Sequence, residues 1–500
     1  MTDRLESFVV AVAELIIDIA PGGVVRASIE TLGTAQKTVL LIGVAAGTLG
    51  LGALIGLVAR KQQIWAVYLY AGVGVFGAWA IARNPLTSAG LSWVVGAIAV
   101  TVGVVTLLRA PLGALPLEQG PEDPKNTYAD RREFIGWMSG MSVAAGAMTG
   151  VGRVVLSDES IQNARGRVVL PSATTTENTA SPRRTPSANS APPTTEAATV
   201  PPEVAEVANL SPYITPNETF YRIDTALSVP MVDPEAWSLS VEGLVKNPYR
   251  LTFNDLLAMD LIERTVTLCC VSNEVGGSLV GNATWTGVPL QDVLSPAEPL
   301  LNAAQVMAQS VDGFTAGFPI EQVSDGRTAL LAIGMNGKPL PIIHGFPARL
   351  VVAGLYGYVS AVKWLDAIKI TTWEDNDGYW IPRGWAKEAP IKLASRIDVP
   401  KSSQLKAGMQ PVAGVAWSPT EGVSQVEVSV DGGPWQTCEL GDTVGGETWV
   451  QWLYRWEAKP GRHELTVRAV GSDGAVQPSR SVSPAPNGAE GHHSVKVTVL

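Results

Sequence analysis

Thr267-Leu268-Cys269-Cys270-Val271-Ser272-Asn273-Glu274-Val275-Gly276-Gly277-Ser278-Leu279-Val280-Gly281-Asn282-Ala283-Thr284-Trp285-Thr286-Gly287-Val288-Pro289-Leu290 is the stretch around which the chain is organised. The β-branched run over residues 265–268 predicts a buried strand. That strand ends in two of the chain's three cysteines and gives way to a loop with Gly276, Gly277 and Gly281. A thiol at a strand end under a glycine-rich loop sits where backbone can come close to a bulky ligand. Side chains alternate along a strand, so only one of the two cysteines can face a given site. Buried cysteine is more often a small core residue than a ligand, so the pair alone does not assign a function.

Composition narrows the choice. The formal net charge of −10 argues against a nucleic-acid partner and suits a self-repelling surface. Three cysteines, two of them adjacent, make no disulfide framework, and Cys438 reads as a structural thiol. The long apolar runs crowd into the first ~155 residues, which predicts a membrane part.

Residues 38–58, 64–81 and 91–108 are apolar runs of spanning length, rich in Gly and Ala as close helix packing in lipid requires. Arg60 and Lys61 after the first run, and Arg109 after the third, place those ends in the cytoplasm. Residues 8–20, broken by Glu14 and Asp18 and ended by Pro21-Gly22-Gly23, read as an interfacial segment within an N-terminal part of residues 1–37. Within residues 111–156, Asp130-Arg131-Arg132-Glu133-Phe134-Ile135 before a weakly apolar run looks like an internal twin-arginine export signal retained as an anchor. Everything beyond Val151 is then expected outside the cytoplasm. Residues 157–209, dominated by Ser, Thr, Ala and Pro, read as a disordered stalk.

Residues 210–400 alternate short strands (236–241, 305–308) with short helices (252–259 with Thr252 as N-cap, and 290–293), a mixed α/β pattern. Residues 401–500 show period-2 alternation into Asp431-Gly432, which predicts an antiparallel β-sandwich of immunoglobulin type. The expected fold class is therefore multi-domain: N-terminal transmembrane helices, a mixed α/β domain and a C-terminal β-sandwich. No histidine precedes His344, so the membrane helices offer no bis-histidine haem site. His492 and His493 lack a third ligand nearby, and no metal site is expected there.

Leu268-x-Cys270-x-x-Asn273, followed by Gly281-Asn282-Ala283-x-Trp285-x-Gly287-Val288-x-Leu290, resembles the cysteine loop of the sulfite oxidase family of molybdopterin enzymes. The resemblance implies that Cys270 holds molybdenum and that Cys269 is a bystander; a soft thiolate suits such a metal. Thr215-Pro216-Asn217-Glu218-Thr219-Phe220-Tyr221-Arg222-Ile223-Asp224 looks like the family segment lining pterin and metal, with Phe220, Tyr221, Arg222 and Asp224 at the cofactor. Arg222 would face substrate oxygens; Asp224 stands where animal sulfite oxidases have histidine. Asp312 matches a pterin-contacting position. His344-Gly345-Phe346-Pro347-Ala348-Arg349 matches His-Gly-Phe-Pro-x-Arg, implying that His344 and Arg349 meet the pterin's phosphate and ring, since an arginine fork grips phosphate twice. Ser360, Ala361, Val362 and Lys363 resemble the loop that closes on the cofactor. Tyr379 lies where the family has a tyrosine near the metal and is the expected proton donor, with Arg383 an anion partner.

The family's animal members follow Cys-x-x-Asn with arginines that bind sulfite. Here Glu274-Val275 stands instead, and a carboxylate beside an anion pocket repels an anion. The resemblance implies a molybdenum–molybdopterin oxidoreductase acting on a small molecule, either an oxyanion or an S- or N-oxide. It expects no haem in this chain, an external electron carrier or membrane redox subunit, contact with lipid, and pairing of protomers through the C-terminal domain. The alternative is a stalked extracellular binding protein that kept the fold without the cofactor.

Overall fold

The computed structural model describes residues 7–85, 87, 89–109, 159–175, 204 and 206–500. The segment with Arg131 and Arg132, and residues 176–203 of the expected stalk, lie outside them. The chain divides into two compact units, Met1–Ala164 with Ala226–Asp233, and Arg165–Thr225 with Pro234–Leu500.

The first unit is helical: α1 (Phe8–Ile19), α2 (Gly22–Leu32), α3 (Gln36–Lys61), α4 (Gln63–Ala82) and α5 (Ala89–Arg109). Gln36–Ala59 and Gln63–Ala82 are long and apolar enough to cross a membrane, with mean hydropathy 2.2 and 1.7. At 1.5 Å per residue, about 20 residues span the ~30 Å hydrocarbon layer. Leu49, Leu54 and Leu57 of α3 are exposed, as lipid-facing positions are. The third expected span is helical too, but its apolar stretch, Ala89–Val105, is shorter than the other two. Small residues bring α4 and α5 together: a Cβ on Gly96 would sit 2.5 Å from that of Ala78. The expected interfacial segment is α1, capped by Ser7 and bent by 117° from α2, with the Phe8 ring against Gly77 of α4.

The second unit begins with the end of α6 (Glu159–Arg167). Its strands follow as β1 (Thr174–Thr175), β2 (Ser238–Gly243), β3 (Tyr249–Thr252), β4 (Ile262–Cys269), β5 (Val280–Pro289), β6 (Gln305–Ser310), β7 (Thr315–Pro319), β8 (Ala329–Met335), β9 (Lys338–Pro339), β10 (Arg349–Val352) and β11 (Leu365–Thr371). One sheet runs β1-β4-β5-β8-β10, with β9 on β8; the other runs β3-β2-β11-β6-β7. The buried run that predicted a strand is β4. It pairs with β5 from Ile262↔Gly287 to Cys269↔Val280, so the cysteine loop is the connection of a hairpin. Helix α7 (Phe253–Ala258) starts on the expected Thr252 cap, whose hydroxyl accepts from the Asp255 N–H while the Asp255 carboxylate reaches back to the Thr252 N–H. Helix α8 (Leu290–Leu294) follows β5 directly, and α9 (Gly357–Ser360) lies between β10 and β11. Trp285, Trp364, Phe318 and Phe346 fill the core completely buried.

Two expectations about boundaries are corrected. The stalk was expected over residues 157–209, yet residues 159–175 and 204 are structured. Arg165 donates from Nε to the Leu340 carbonyl (2.6 Å) and from a terminal nitrogen to that of Pro339 (2.7 Å). β1 adds in parallel to the edge of β4, Thr174 opposite Ile262, so backbone groups that would face water are paired. Val204 is buried against Val399, Ala413 and Leu453. The C-terminal domain was expected to start at residue 401, but β12 (Ala394–Val399) already belongs to it by pairing with β14 (Gly408–Trp417).

The remaining strands are β13 (Gln404–Leu405), β15 (Val423–Val430), β16 (Gln436–Thr437), β17 (Glu439–Leu440), β18 (Val450–Ala458), β19 (Gly461–Gly471) and β20 (His493–Val499). They form two sheets, β12-β14-β18-β17 and β13-β20-β19-β15-β16. Val412, Trp452 and Trp456 of the first pack against Val426, Val428, Leu465 and Val467 of the second, as alternation with one buried face demands.

Candidate cofactor site

Cys270 opens the loop after β4. Its N–H donates to the Leu279 carbonyl (2.9 Å) and its carbonyl accepts from the Asn273 N–H (3.0 Å). The Asn273 side-chain oxygen accepts from the Leu279 N–H (2.8 Å), and a Cβ on Gly277 would come within 2.6 Å of that oxygen. The loop therefore closes tightly only with glycine there. Burial raises the Cys270 thiol, with Ser272 hydrogen bonds opposing, and raises the Cys269 thiol well above its ordinary value. The two thiols have different surroundings. Cys269 lines a cleft with Glu274, Tyr356, Trp417 and Gln477. Cys270 does not line it, and its charge is the first electrostatic influence on the buried Tyr221 hydroxyl after burial itself.

A compact cluster surrounds Tyr221. Phe220 stacks on Tyr221 (5.1 Å between centroids) and meets Trp285 (5.8 Å) and His344 (5.7 Å) edge-on. The Arg349 guanidinium lies over the Trp285 ring at 4.9 Å. It donates to the carbonyls of His344 (3.1 Å) and Ala361 (3.4 Å). Among the described residues no carboxylate pairs with it, and burial lowers it to about 10. His344 reaches the Asn217 carbonyl through Nε2 at 2.8 Å. Burial brings His344 down to about 4, so the ring is neutral at neutral pH with its proton on the nitrogen that meets the carbonyl. Gly345 has φ +111°, and a Cβ there would meet the Cβ atoms of Lys363 at 3.0 Å and Arg349 at 3.1 Å. Only glycine lets the His344 turn pass between them.

A second, charged group adjoins the first. One oxygen of Asp224, Oδ2, accepts from Arg222 Nε (2.8 Å) and from Lys363 Nζ (2.9 Å). The Asp224 and Lys363 side chains are 5% and 9% exposed, that of Arg222 38%. Burial lowers Lys363 to about 8, against the pull of Asp224. Asp312, raised by burial, feels both Asp224 and Lys363, and accepts from the Phe314 N–H at 3.2 Å.

The expected closing loop splits by role. Ala361 and Lys363 meet the cluster. The Ser360 hydroxyl turns back to the Leu355 and Tyr356 carbonyls, and Val362 is a core residue. Tyr379 packs on Phe314 (5.7 Å) under the Arg383 guanidinium (3.7 Å), which ties it to the Asp312 side of the site. Glu274, expected beside an anion pocket, lines a cleft together with Cys269 and Asn273. Trp285 and Asn217 are partners that were not singled out. Trp285 stands inside the cysteine-loop stretch, but an aromatic platform for an arginine 64 positions later shows no local signal.

Comparison with known proteins places this geometry. Residues 226–380 match the family described as oxidoreductase molybdopterin binding domain. Human mitochondrial sulfite oxidase is 31% identical over 317 residues, covering 53% of this chain and 57% of that protein. Sulfite oxidase of Arabidopsis thaliana is 31% identical over 276 residues, 45% of this chain and 70% of that protein. The sulfane dehydrogenase SoxCD of Paracoccus pantotrophus shares the fold, with a TM-score of 0.51 at 24% identity over 58% of this chain and 82% of that one. The chain belongs to the sulfite oxidase family of molybdopterin oxidoreductases. It spans little more than half the length of the human and mouse relatives, 57% in each case.

Family membership implies a molybdopterin cofactor, and the residues present fit one. A buried guanidinium whose partners among the described residues are carbonyl oxygens and a ring face is suited to a phosphate. A buried thiol held protonated by its surroundings becomes a thiolate when a metal cation takes the proton's place. Phe220 stacked on Tyr221, with Trp285 edge-on to Phe220 and under Arg349, supplies an aromatic wall.

Proposed function

We propose that the protein is a membrane-anchored oxidoreductase with its cofactor domain outside the cytoplasm, moving an oxygen atom to or from a small oxyanion or an S- or N-oxide. Cys270 holds molybdenum, and Arg349 with His344 holds the pterin phosphate and ring. The observation that carries this reading is Arg349, a buried cation with no carboxylate partner among the described residues, which acts on the same Tyr221 hydroxyl as the buried Cys270 thiol. The bound group supplies two-electron oxygen-atom chemistry; the protein supplies position, charge and exclusion of water. Arg222 presents a cation to substrate, and Phe220, Tyr221 and Asp312 line the cofactor. The Tyr379 hydroxyl serves as proton donor, with Arg383 held against its ring. Reducing an oxide consumes two electrons and two protons and releases water, so an external electron carrier or a membrane redox subunit must deliver the electrons.

The membrane part sets the place. The basic pair Arg60–Lys61 at the end of α3 orients that end to the cytoplasm. An internal twin-arginine segment is the export route for a domain folded around its cofactor. The C-terminal strand order, β12-β14-β18-β17 facing β20-β19-β15, supports an immunoglobulin-type sandwich of A-B-E-D facing G-F-C, and we assign protomer pairing to it. A reductant-driven screen of the solubilised, molybdenum-loaded protein over S-oxides, N-oxides, nitrate and sulfite tests the function. Turnover of at least one class is expected; a molybdenum-replete protein inert toward all of them contradicts it.

A further inference from the structure

Two cations of the charged group share a single carboxylate oxygen. Besides Arg349, and Arg383 held against the Tyr379 ring, the cluster holds Arg222, which the proposed function turns toward substrate, and Lys363 of the closing loop; both give a hydrogen to the same buried oxygen, Asp224 Oδ2. A doubly charged oxyanion entering here must either pull those cations off Asp224 or sit beside its charge, and both cost more in a desolvated site. An uncharged oxide asks less. Its oxygen needs one donor of fixed direction, and Arg222 spends Nε on Asp224 while its terminal nitrogens have no partner among the described residues. Glu274, the other carboxylate expected to discriminate, lies in the Cys269 cleft and leaves this task to Asp224.

We propose that Asp224 is the specificity-determining residue of this site, tethering Arg222 and Lys363 so that an uncharged S=O or N–O compound is taken in preference to an oxyanion. This rests on the proposed molybdopterin function and narrows its substrate class. Asp224 acts through the two cations and touches no reacting atom, so its substitution changes binding more than turnover. In the favoured reaction the oxide oxygen leaves as water, the sulfur or nitrogen gaining the electron pair delivered by the carrier, or by a reduced dye in the assay.

The test titrates sulfate into the molybdenum-loaded full-length protein and its Asp224→Asn variant by calorimetry, and measures KM and kcat for dimethyl sulfoxide, trimethylamine N-oxide and sulfite. In the variant, sulfate binding tightens by roughly ten-fold, about 1.4 kcal/mol, and KM for sulfite falls in step. The ratio of kcat/KM for sulfite to kcat/KM for whichever oxide the wild-type protein turns over rises by roughly ten-fold in the variant. Unchanged sulfate affinity in a variant with wild-type molybdenum content overturns the proposal. If Asp224→Asn fails to fold, wild-type protein decides: turnover of the oxide unaffected by about 100 mM sodium sulfate, relative to a sodium chloride control of equal ionic strength, supports it, and competitive inhibition near 1 mM sulfate overturns it. A protein without molybdenum fails the functional reading at metal analysis, before any titration; one that carries molybdenum and grips sulfate fails this inference alone.

Discussion

His344 is neutral where it stands, and that has a measurable consequence. Its folded value of about 4 lies below the ordinary 6.5 because burial disfavours the imidazolium. The native state therefore binds fewer protons than the unfolded chain between those values. Stability from this residue is complete above pH 6.5 and is lost as pH falls toward 4, on the order of 2–3 kcal/mol. In cofactor-free protein, His344→Gln should flatten the acid limb of the urea midpoint between pH 6.5 and 4; an unaltered limb would assign the loss to other groups. Arg349→Lys should lower cofactor retention by roughly 10–100-fold, because a point ammonium replaces a fork held by a ring and two carbonyls. Pterin fluorescence after denaturation reads that loss, and full retention would remove Arg349 from the phosphate. The family motifs were legible as letters, since Cys270, His344 and Arg349 stand at fixed spacings. Partnerships were not: Asp224 and Lys363 are 139 positions apart, and Glu274 shares its cleft with Gln477 of the C-terminal domain.

The elements divide in the same way. β4, α7 with its Thr252 cap, and α8 follow from local patterns of β-branching, capping and period; the two helices occur within a residue of expectation, while β4 begins three residues before the expected run. The pairing of β1 with β4 and of β12 with β14 depends on distant edges that no window of sequence contains. One tie between the α/β domain and the sandwich is equally non-local. Glu447, before β18, accepts from the Thr328 N–H and from its hydroxyl, each at 2.6 Å, in a buried setting. Glu447→Ala leaves the Thr328 N–H without its acceptor, and about 1–3 kcal/mol of stability should go with it. Urea denaturation gives the value, and a change below ~0.5 kcal/mol would show that the two domains are held elsewhere.

At the scale of the whole molecule, a helical unit with two membrane-length apolar helices precedes a cofactor domain and a sandwich. Composition alone separates the first from the rest, because lipid demands apolar side chains on the outside of a helix and water does not. Alkaline carbonate should leave the chain in the membrane pellet, and its release to the supernatant would rule out spanning by Gln36–Ala59 and Gln63–Ala82. The central claim concerns one sulfur atom. Molybdenum per chain, measured by elemental analysis on protein co-expressed with cofactor synthesis, tests it most directly through wild type, Cys269→Ser and Cys270→Ser. The account predicts about one metal per chain in the first two and less than about 0.1 in the third, since the proposed function makes the Cys270 thiolate the protein's own ligand to the metal. Equal molybdenum in all three, or none in the wild type, would contradict it.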